Sequence, residues 1–172
     1  MPITVQHAAL LRGTIDVGLL RVQAAPAELE VVPVLPDPFV LAVPAGHRLA
    51  ARSRVRLRSV AGEPFVMFTQ SGAPLFHERV AAMCREAGFA PQVVQHATQI
   101  HTVVGLVGAG LGVAVVPASG RNLHPRQVAF VQIADKADPL HVALAWRRGH
   151  ETPATRSFRR VAQEVAAALP KA

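Results

Sequence analysis

The sequence is poor in cysteine, lysine and acidic residues. Cys84 is the single cysteine, which excludes an intramolecular disulfide. Only 11 acidic residues stand against 18 basic ones, and of the basic residues just Lys136 and Lys171 are lysines. The resulting formal charge of +7 permits nucleic acid as a partner, but it indicates no particular fold.

Charged residues of both signs are scarce compared with apolar ones. They make up 17% of the 172 residues, whereas 51% are hydrophobic and 5% aromatic. Such a composition excludes intrinsic disorder. A chain of this length buries on the order of 70% of its unfolded surface, which suffices for one large core or for two small lobes.

No segment has the pattern of a secretion signal or of a membrane span. The sequence starts at Met1 without a basic region or an apolar stretch of signal-peptide length. The uncharged run 102–120 is interrupted by Pro117 and by Gly105, Gly108, Gly110 and Gly112, which is typical of a helix followed by a buried strand. We therefore expect a cytoplasmic protein that has no membrane segment.

The spacing of apolar residues alternates between helical and strand periods, and each change falls at a glycine or a proline. This alternation predicts an α/β fold. Four helices are predicted. The first spans 4–11 with Thr4 as N-cap, the second spans 76–87, and the third runs from its N-cap Thr98 to 107. The fourth follows Thr155 and has one apolar side, formed by Phe158, Val161, Val165 and Leu169. Strands are predicted at 15–20, 28–35, 39–43, 64–68, 93–94, 113–116, 130–133 and 140–146.

Two stretches have the composition of linkers. Pro36-Asp37-Pro38 is stiff and extended, because each proline fixes φ and prevents a helix at the preceding residue. The polar stretch 134–139 joins two predicted strands. These two places are where the chain is expected to cross between parts of the fold.

The glycine-rich segment 105–117 does not have the order of a nucleotide-binding loop. A dinucleotide fingerprint requires a strand, then the glycines, then a helix, whereas these glycines follow a helix and precede a strand. The pattern is instead typical of tight helix-to-strand packing.

No arrangement of residues predicts catalysis or metal binding. His96 and His101 are the closest histidine pair and lack metal-ligand spacing. Cys84 lies within an amphipathic helix beside its buried stripe, and neither Ser71 nor Ser119 is in a nucleophile-elbow motif. We expect no metal, no cofactor and no enzymatic activity, so the sequence favours a binding function.

Arginines alternate along 52–58, after Arg48. If this segment is extended, the four cations at 52, 54, 56 and 58 lie on one side of the chain. A solvated edge explains the pattern with fewer assumptions than a DNA contact, since no aromatic residues are interleaved with the arginines and no helix-turn-helix pattern is present.

Six motifs in the order of the chain carry a family resemblance. They are Ala-Leu-Leu-Arg-Gly-Thr-Ile-Asp-Val-Gly-Leu-Leu-Arg (9–21), Phe-Val-Leu-Ala-Val-Pro-Ala-Gly-His-Arg-Leu-Ala (39–50), Gly-Glu-Pro-Phe-Val-Met-Phe (62–68), Ala-Gly-Phe (87–89), Gly-Leu-Val-Gly-Ala-Gly-Leu-Gly-Val-Ala-Val-Val-Pro-Ala-Ser (105–119) and Ala-Leu-Ala-Trp-Arg-Arg (143–148). Together they resemble the effector-binding domain of LysR-type transcriptional regulators over nearly the whole chain.

The resemblance implies a two-lobed α/β fold of the type II periplasmic-binding-protein kind, with two crossover strands and a small-molecule effector between the lobes. Lobe I is expected to comprise 1–36 and 135–172, and lobe II to comprise 37–134. An effector that binds the open and closed forms with different affinity would bias the closure of such a hinge.

The resemblance also implies the residues that line the effector cleft. Arg21 is placed where a cation could meet an effector carboxylate, and helix N-termini favour anions, so we predict an organic acid, with aromatic acids as one candidate class. For Phe76, packing in the core is an equally weighted alternative. The predicted effector-binding residues are Ile3, Thr4, Arg21, Ser71, Pro74, Phe76, Thr98 and Gln99.

Some parts of the family pattern are not in this sequence. They are the winged helix-turn-helix, the linker helix, and the first strand of lobe I with its following helix. We therefore expect an N-terminally truncated domain, either a fragment or a truncated product, with an exposed sheet edge in lobe I.

The leading hypothesis is an effector-binding and oligomerisation domain that forms a homo-oligomer and makes no direct specific contact with DNA. The alternatives are a stand-alone small-ligand binding protein of the same fold and, third, an enzyme built on that fold.

Overall fold

The computed structural model describes residues 3–22, 27–123 and 125–168, with the backbone alone at Ile3, Thr4 and Val22. This part of the chain contains four α-helices and nine β-strands. In chain order they are α1 (Ile3–Arg12), β1 (Gly18–Val22), β2 (Leu29–Asp37), β3 (Phe39–Pro44), β4 (Arg54–Val55), β5 (Pro64–Phe68), α2 (Pro74–Glu86), β6 (Gln92–Ala97), α3 (Ile100–Gly108), β7 (Ala114–Pro117), β8 (Val128–Ile133), β9 (Leu140–Arg147) and α4 (Pro153–Ala168). Short 3-10 turns lie at Leu57–Val60 and Ala118–Leu123.

The chain forms two compact units. Unit 1 contains Met1–Asp37 and Pro139–Ala172, and unit 2 contains Pro38–Asp138. The division thus falls after residue 37 and after residue 138, where the sequence predicted it after 36 and after 134. The later division has a structural cause, because Asp135 accepts a hydrogen bond from the Leu57 backbone N–H at 2.7 Å and so keeps the start of the second linker in unit 2.

Unit 1 is built on a three-stranded antiparallel sheet of order β1-β9-β2. Helix α1 covers one face, where Leu10, Leu20, Leu29 and Ala145 form a buried cluster. The helix ends at Gly13, whose φ of 69° lies in the left-handed region that favours glycine. Because β9 comes from the far end of the chain, both ends of the sequence contribute to this one sheet.

Helix α4 of unit 1 buries little of its apolar side. The side chains of Phe158, Val161 and Val165 are 52%, 49% and 54% exposed. The helix begins at Pro153, whereas the sequence predicted it only after Thr155, which lies buried in the first turn. Thr152 holds the capping position instead, since its Oγ1 accepts the Thr155 N–H at 3.1 Å. Leu169 lies outside the described residues.

Unit 2 contains a four-stranded sheet of order β4-β8-β3-β7 and the parallel pair β5-β6. A bridge between Phe65 and Val113 links the two parts. Gly112 allows this approach, because a Cβ at that position would overlap the Pro64 carbonyl group. Helices α2 and α3 each bury one apolar side, with Val80 and Met83 on α2 and Val103 and Val107 on α3 buried.

Three of the predicted element starts are corrected by the structure. The predicted strand 15–20 begins only at Gly18, where pairing with Ala145 of β9 starts, and the preceding residues form the turn that leaves α1. Helix α1 already contains Thr4, which is therefore not an N-cap. Thr98 precedes the true N-cap of α3, Gln99, and makes no capping hydrogen bond.

Candidate functional site

The candidate site in unit 2 lies where β5 and β6 end. The two strands are parallel neighbours, with Phe68 opposite Ala97, so their carboxyl ends meet at one edge of the sheet. The Thr69 backbone N–H donates to the Ala97 carbonyl at 3.0 Å and extends the pairing beyond the strands. Helix α2 follows β5 after a short loop, and α3 follows β6, so the two helices begin side by side. We call this region the paired helix starts and define it as residues 69–74 and 98–100.

The two loops of the paired helix starts are in close contact. The Gly72 N–H donates to Thr69 Oγ1 at 3.1 Å, which closes the first loop on itself. A Cβ at Gly72 would overlap the Thr98 methyl group and would lie 2.9 Å from Thr69 Oγ1. Glycine is therefore what allows the loop that carries Ser71 to lie against Thr98.

Neither helix start is capped by a side chain. The N-cap residues are Ala73 for α2 and Gln99 for α3, and neither makes a side-chain capping hydrogen bond. The first turn of an α-helix has backbone N–H groups without partners inside the helix, and the helix dipole adds partial positive charge there. Two such starts at one edge make a region suited to an anion.

The predicted residues of unit 2 lie in this region, with one qualification. Ser71, Pro74, Thr98 and Gln99 are exposed, and Pro74 is the first residue of α2. The Phe76 ring points into the interior, where it is buried and stacks on Phe68 with a centroid separation of 4.7 Å. This is the core-packing alternative that the sequence left open, and an effector contact of Phe76 stays a prediction.

In unit 1, Arg21 is held by an acidic partner from the same chain. Its Nε donates to Asp37 Oδ2 at 3.0 Å, and Asp37 as a whole is only 4% exposed. A carboxylate buried to this degree requires a charged or hydrogen-bonding partner. The predicted role of Arg21 toward an effector carboxylate stays a prediction. In that role the side chain would have to use guanidinium nitrogens other than Nε. Ile3 and Thr4 begin α1 in the same unit, and the structure describes only their backbone.

Three residues of these arrangements were missed by sequence reasoning. Asp37 was interpreted only as part of a stiff linker, and its position between two prolines gives no signal of a partner. Thr69 and Gly72 bracket the predicted Ser71, and a threonine three residues before a glycine was the available signal for a closed loop.

Cys84 offers no reactive chemistry. The thiol is fully buried within α2, and burial raises its pKa from 9.0 to about 12. A nucleophilic or redox-active cysteine requires a lowered pKa and access to solvent. Within the described residues, no group of three or more histidine, cysteine or acidic side chains is arranged to hold a metal ion.

A cavity of about 410 Å³ lies between α2 and the second linker of unit 2. The cavity is lined by side chains of both charges and by one alanine: Arg79, Glu86, Lys136, Ala137 and Asp138. None of these residues belongs to the paired helix starts. In the part of the chain that the structure describes, no helix has the length and apolar character needed to cross a membrane.

Comparison with solved structures shows the fold. The chain superimposes on HinK, a LysR family transcriptional regulator from Pseudomonas aeruginosa, with a TM-score of 0.86 and 21% identity, covering 98% of this chain and 60% of HinK. The BenM effector-binding domain with its effector benzoate gives a TM-score of 0.83 at 22% identity over 98% of this chain and 77% of that domain. The predicted two-lobed, type II periplasmic-binding-protein-like α/β fold is thereby confirmed.

Comparison with curated sequences shows the family. The uncharacterized HTH-type transcriptional regulator YnfL of Escherichia coli K12 is 35% identical over 155 residues, which is 90% of this chain and 52% of YnfL. The Hca operon transcriptional activator HcaR of the same strain is 32% identical over 165 residues, which is 94% of this chain and 54% of HcaR. The chain therefore spans about half the length of these relatives. Because the LysR substrate binding domain model also matches residues 4–167, this chain belongs to the LysR substrate-binding domain family.

Proposed function

We propose that the chain binds a small organic acid as the effector of a LysR-type regulator, with the paired helix starts of unit 2 receiving the acid group. The observation that carries this proposal is the pair of helix N-termini at one sheet edge, neither of which has a side-chain cap. Ser71, Thr98 and Gln99 add exposed polar side chains beside these termini. The arrangement favours an anion over a neutral ligand.

The chemistry of two related structures supports an organic acid. The BenM effector-binding domain holds benzoate, and the effector-binding domain of QuiR, with a TM-score of 0.82, is in complex with shikimate. Both ligands are carboxylates, and benzoate is also aromatic. We propose a carboxylate of this size class for the present chain.

The proposed role is regulatory and not enzymatic. The relatives are named as transcriptional regulators, so the bound acid would change the state of a regulator without being converted. A cytoplasmic location and a homo-oligomeric state belong to the same proposal. Among the described residues β1 and β2 are the edge strands of their sheet, and these edges together with the half-exposed apolar side of α4 support self-association.

The experiment is a titration of the chain with benzoate and with shikimate, each beside its neutral amide, followed by calorimetry and thermal unfolding. We expect binding and a higher Tm with at least one acid and neither effect with its amide. Thr98→Ala and Ser71→Ala should each weaken binding by about tenfold, as expected for one lost hydrogen bond to a charged group. Gln92→Ala, an exposed polar residue at the opposite end of β6, is the matched control and should bind normally. Equal binding of acid and amide, or equal losses in all three variants, would overturn the proposal.

A further inference from the structure

Three exposed arginines follow one another at alternate positions in unit 2. We define the arginine row as Arg52, Arg54 and Arg56, all of them exposed. Arg54 begins the edge strand β4, and Arg56 continues in extended conformation with φ −80° and ψ 139°. The extended segment predicted for these arginines is therefore present from Arg54 to Arg56.

Burial alternates from Arg54 to Leu57, whereas Ser53, after Arg52, is exposed. Val55 and Leu57 are buried in unit 2, so the side chains of Arg54 and Arg56 lie on the opposite, solvent side of the segment. Residues two apart in a strand are separated by about 6.6 Å. Arg54 and Arg56 therefore lie about this far apart on the solvent side of a sheet edge, and Arg52 lies in the preceding turn, where its N–H donates to the Leu49 carbonyl at 2.9 Å.

The neighbouring arginines have partners inside the protein, whereas the three arginines of the row make no ion pair with the described residues. Arg48 pairs with Glu63 at 2.8 Å, and Arg58 turns toward the end of α2, where it donates to the Ala87 and Gly88 carbonyls at 3.4 Å. Arg58 thus leaves the set of four predicted from the sequence. Over 3–22, 27–123 and 125–168, no carboxylate lies within ion-pair distance of the row.

The surroundings of the row select the class of partner. No large apolar side chain is exposed between residues 48 and 58, whereas a protein interface needs an apolar or aromatic centre. The same segment has no aromatic residue on which the bases of a single strand could stack. The exposed guanidinium groups of the row match a line of phosphates, because a guanidinium group binds phosphate oxygens in pairs. Asp135 adjoins the row, and its carboxylate accepts the Leu57 N–H at 2.7 Å.

We propose that the arginine row binds the phosphate backbone of duplex DNA without reading its sequence. This inference does not rest on the effector site. It is consistent with the expectation of no direct specific DNA contact, since phosphate contacts position a protein and do not discriminate bases. The row would add affinity for DNA to whatever regulator contains this domain.

The test is a salt titration of the chain with a labelled duplex of about 30 base pairs and arbitrary sequence, followed by fluorescence anisotropy. For three phosphate contacts, log Kobs should fall with log salt with a slope of about −2.7, which is about a 40-fold loss between 50 and 200 mM salt. The variant R52Q/R54Q/R56Q should lose this dependence, while R52K/R54K/R56K should keep it, because lysine preserves the charge.

The matched control is R12Q/R85Q/R126Q, which removes the same charge from scattered exposed positions. It should reduce the slope far less than the glutamine row variant does, and circular dichroism should show that all variants are folded. An equal reduction in both glutamine variants would overturn the proposal, because net charge alone would then explain binding. The proposal would also be overturned, in favour of an acidic protein partner, if the chain bound polyglutamate more tightly than the duplex and lost that binding in R52Q/R54Q/R56Q.

Discussion

Arg21 and Asp37 are joined across the central strand of the unit 1 sheet. Arg21 lies on β1 opposite Val142, and Asp37 ends β2 opposite Leu140, so β9 separates the two strands that carry the pair. The 3.0 Å contact between Nε and Oδ2 therefore links the outer strands at the end of the sheet where the chain leaves unit 1.

Loss of Arg21 should destabilise unit 1. Arg21→Ala leaves the Asp37 carboxylate buried without its cation, and we expect the free energy of unfolding to fall by about 3 kcal/mol. Denaturant unfolding measures this, with Arg12→Ala on the exposed side of α1 as the control at about 0.5 kcal/mol or less. Similar losses in both variants would show that Arg21 does not stabilise Asp37. The same measurement is needed before weak effector binding by Arg21→Ala is assigned to a lost contact.

Phe76 can be assigned to the core or to the site by two substitutions. Phe76→Ala removes the ring stacked on Phe68 and should cost about 3 kcal/mol of stability, whereas Phe76→Leu should cost about 1.5 kcal/mol or less. If the ring only packs, Phe76→Leu should bind a carboxylate ligand as the unchanged chain does. A folded Phe76→Leu protein with lost binding would instead place the ring at the effector.

Gly72 should be intolerant of a methyl group because of Thr98. Gly72→Ala places a Cβ against the Thr98 methyl and Thr69 Oγ1, and we expect a stability loss of about 2 kcal/mol. Adding Thr98→Ala removes the overlapping methyl and should restore about half of the loss. Gly62→Ala, where a Cβ would meet nothing within 4 Å, is the control. Additive effects of Gly72→Ala and Thr98→Ala would show that the two loops are not in contact in solution.

Cys84 should be unreactive and should make stability depend on pH. In the native chain, reaction with a disulfide reagent at pH 8 should be at least about a hundredfold slower than in guanidinium, because the buried thiol is almost entirely protonated. The native pKa is about 12 and the unperturbed value is 9.0, so the native state binds the proton more tightly. The stabilising contribution is complete below pH 9 and is lost as pH rises toward 12. Relative to Cys84→Ala, the unchanged chain should therefore lose stability over that interval; parallel pH curves would contradict the raised pKa.

Elements bounded by glycine or proline were predictable from the sequence. The strand 64–68 and the apolar stripes of α2 and α3 are confirmed, because their periodicity reports burial directly. Helix starts were less predictable, since Thr4 and Thr98 were predicted as N-caps and neither holds the capping position, and α4 begins before Thr155 and not after it. The choice among neighbouring polar residues depends on tertiary packing, which one sequence does not contain.

Contacts between distant segments could not be predicted. The Arg21–Asp37 pair depends on β9 lying between two strands that are near each other in sequence, and nothing near either residue indicates that insertion. The contact of Gly72 with Thr98 likewise depends on β5 and β6 being parallel neighbours. The family resemblance placed Ser71 and Thr98 in one predicted site, whereas the residue pattern alone indicated a loop at Ser71 and a helix N-cap at Thr98.

The origin of β9 near the end of the chain has a consequence for synthesis on the ribosome. Strands β1 and β2 pair only with β9 in the described sheet, so unit 1 cannot close until residues 140–147 have been made. Unit 2 is continuous from Pro38 to Asp138 and can fold while the remainder is being translated. Until then β1 and β2 lack the strand that lies between them in the described sheet, so their edges are exposed to pairing with other chains.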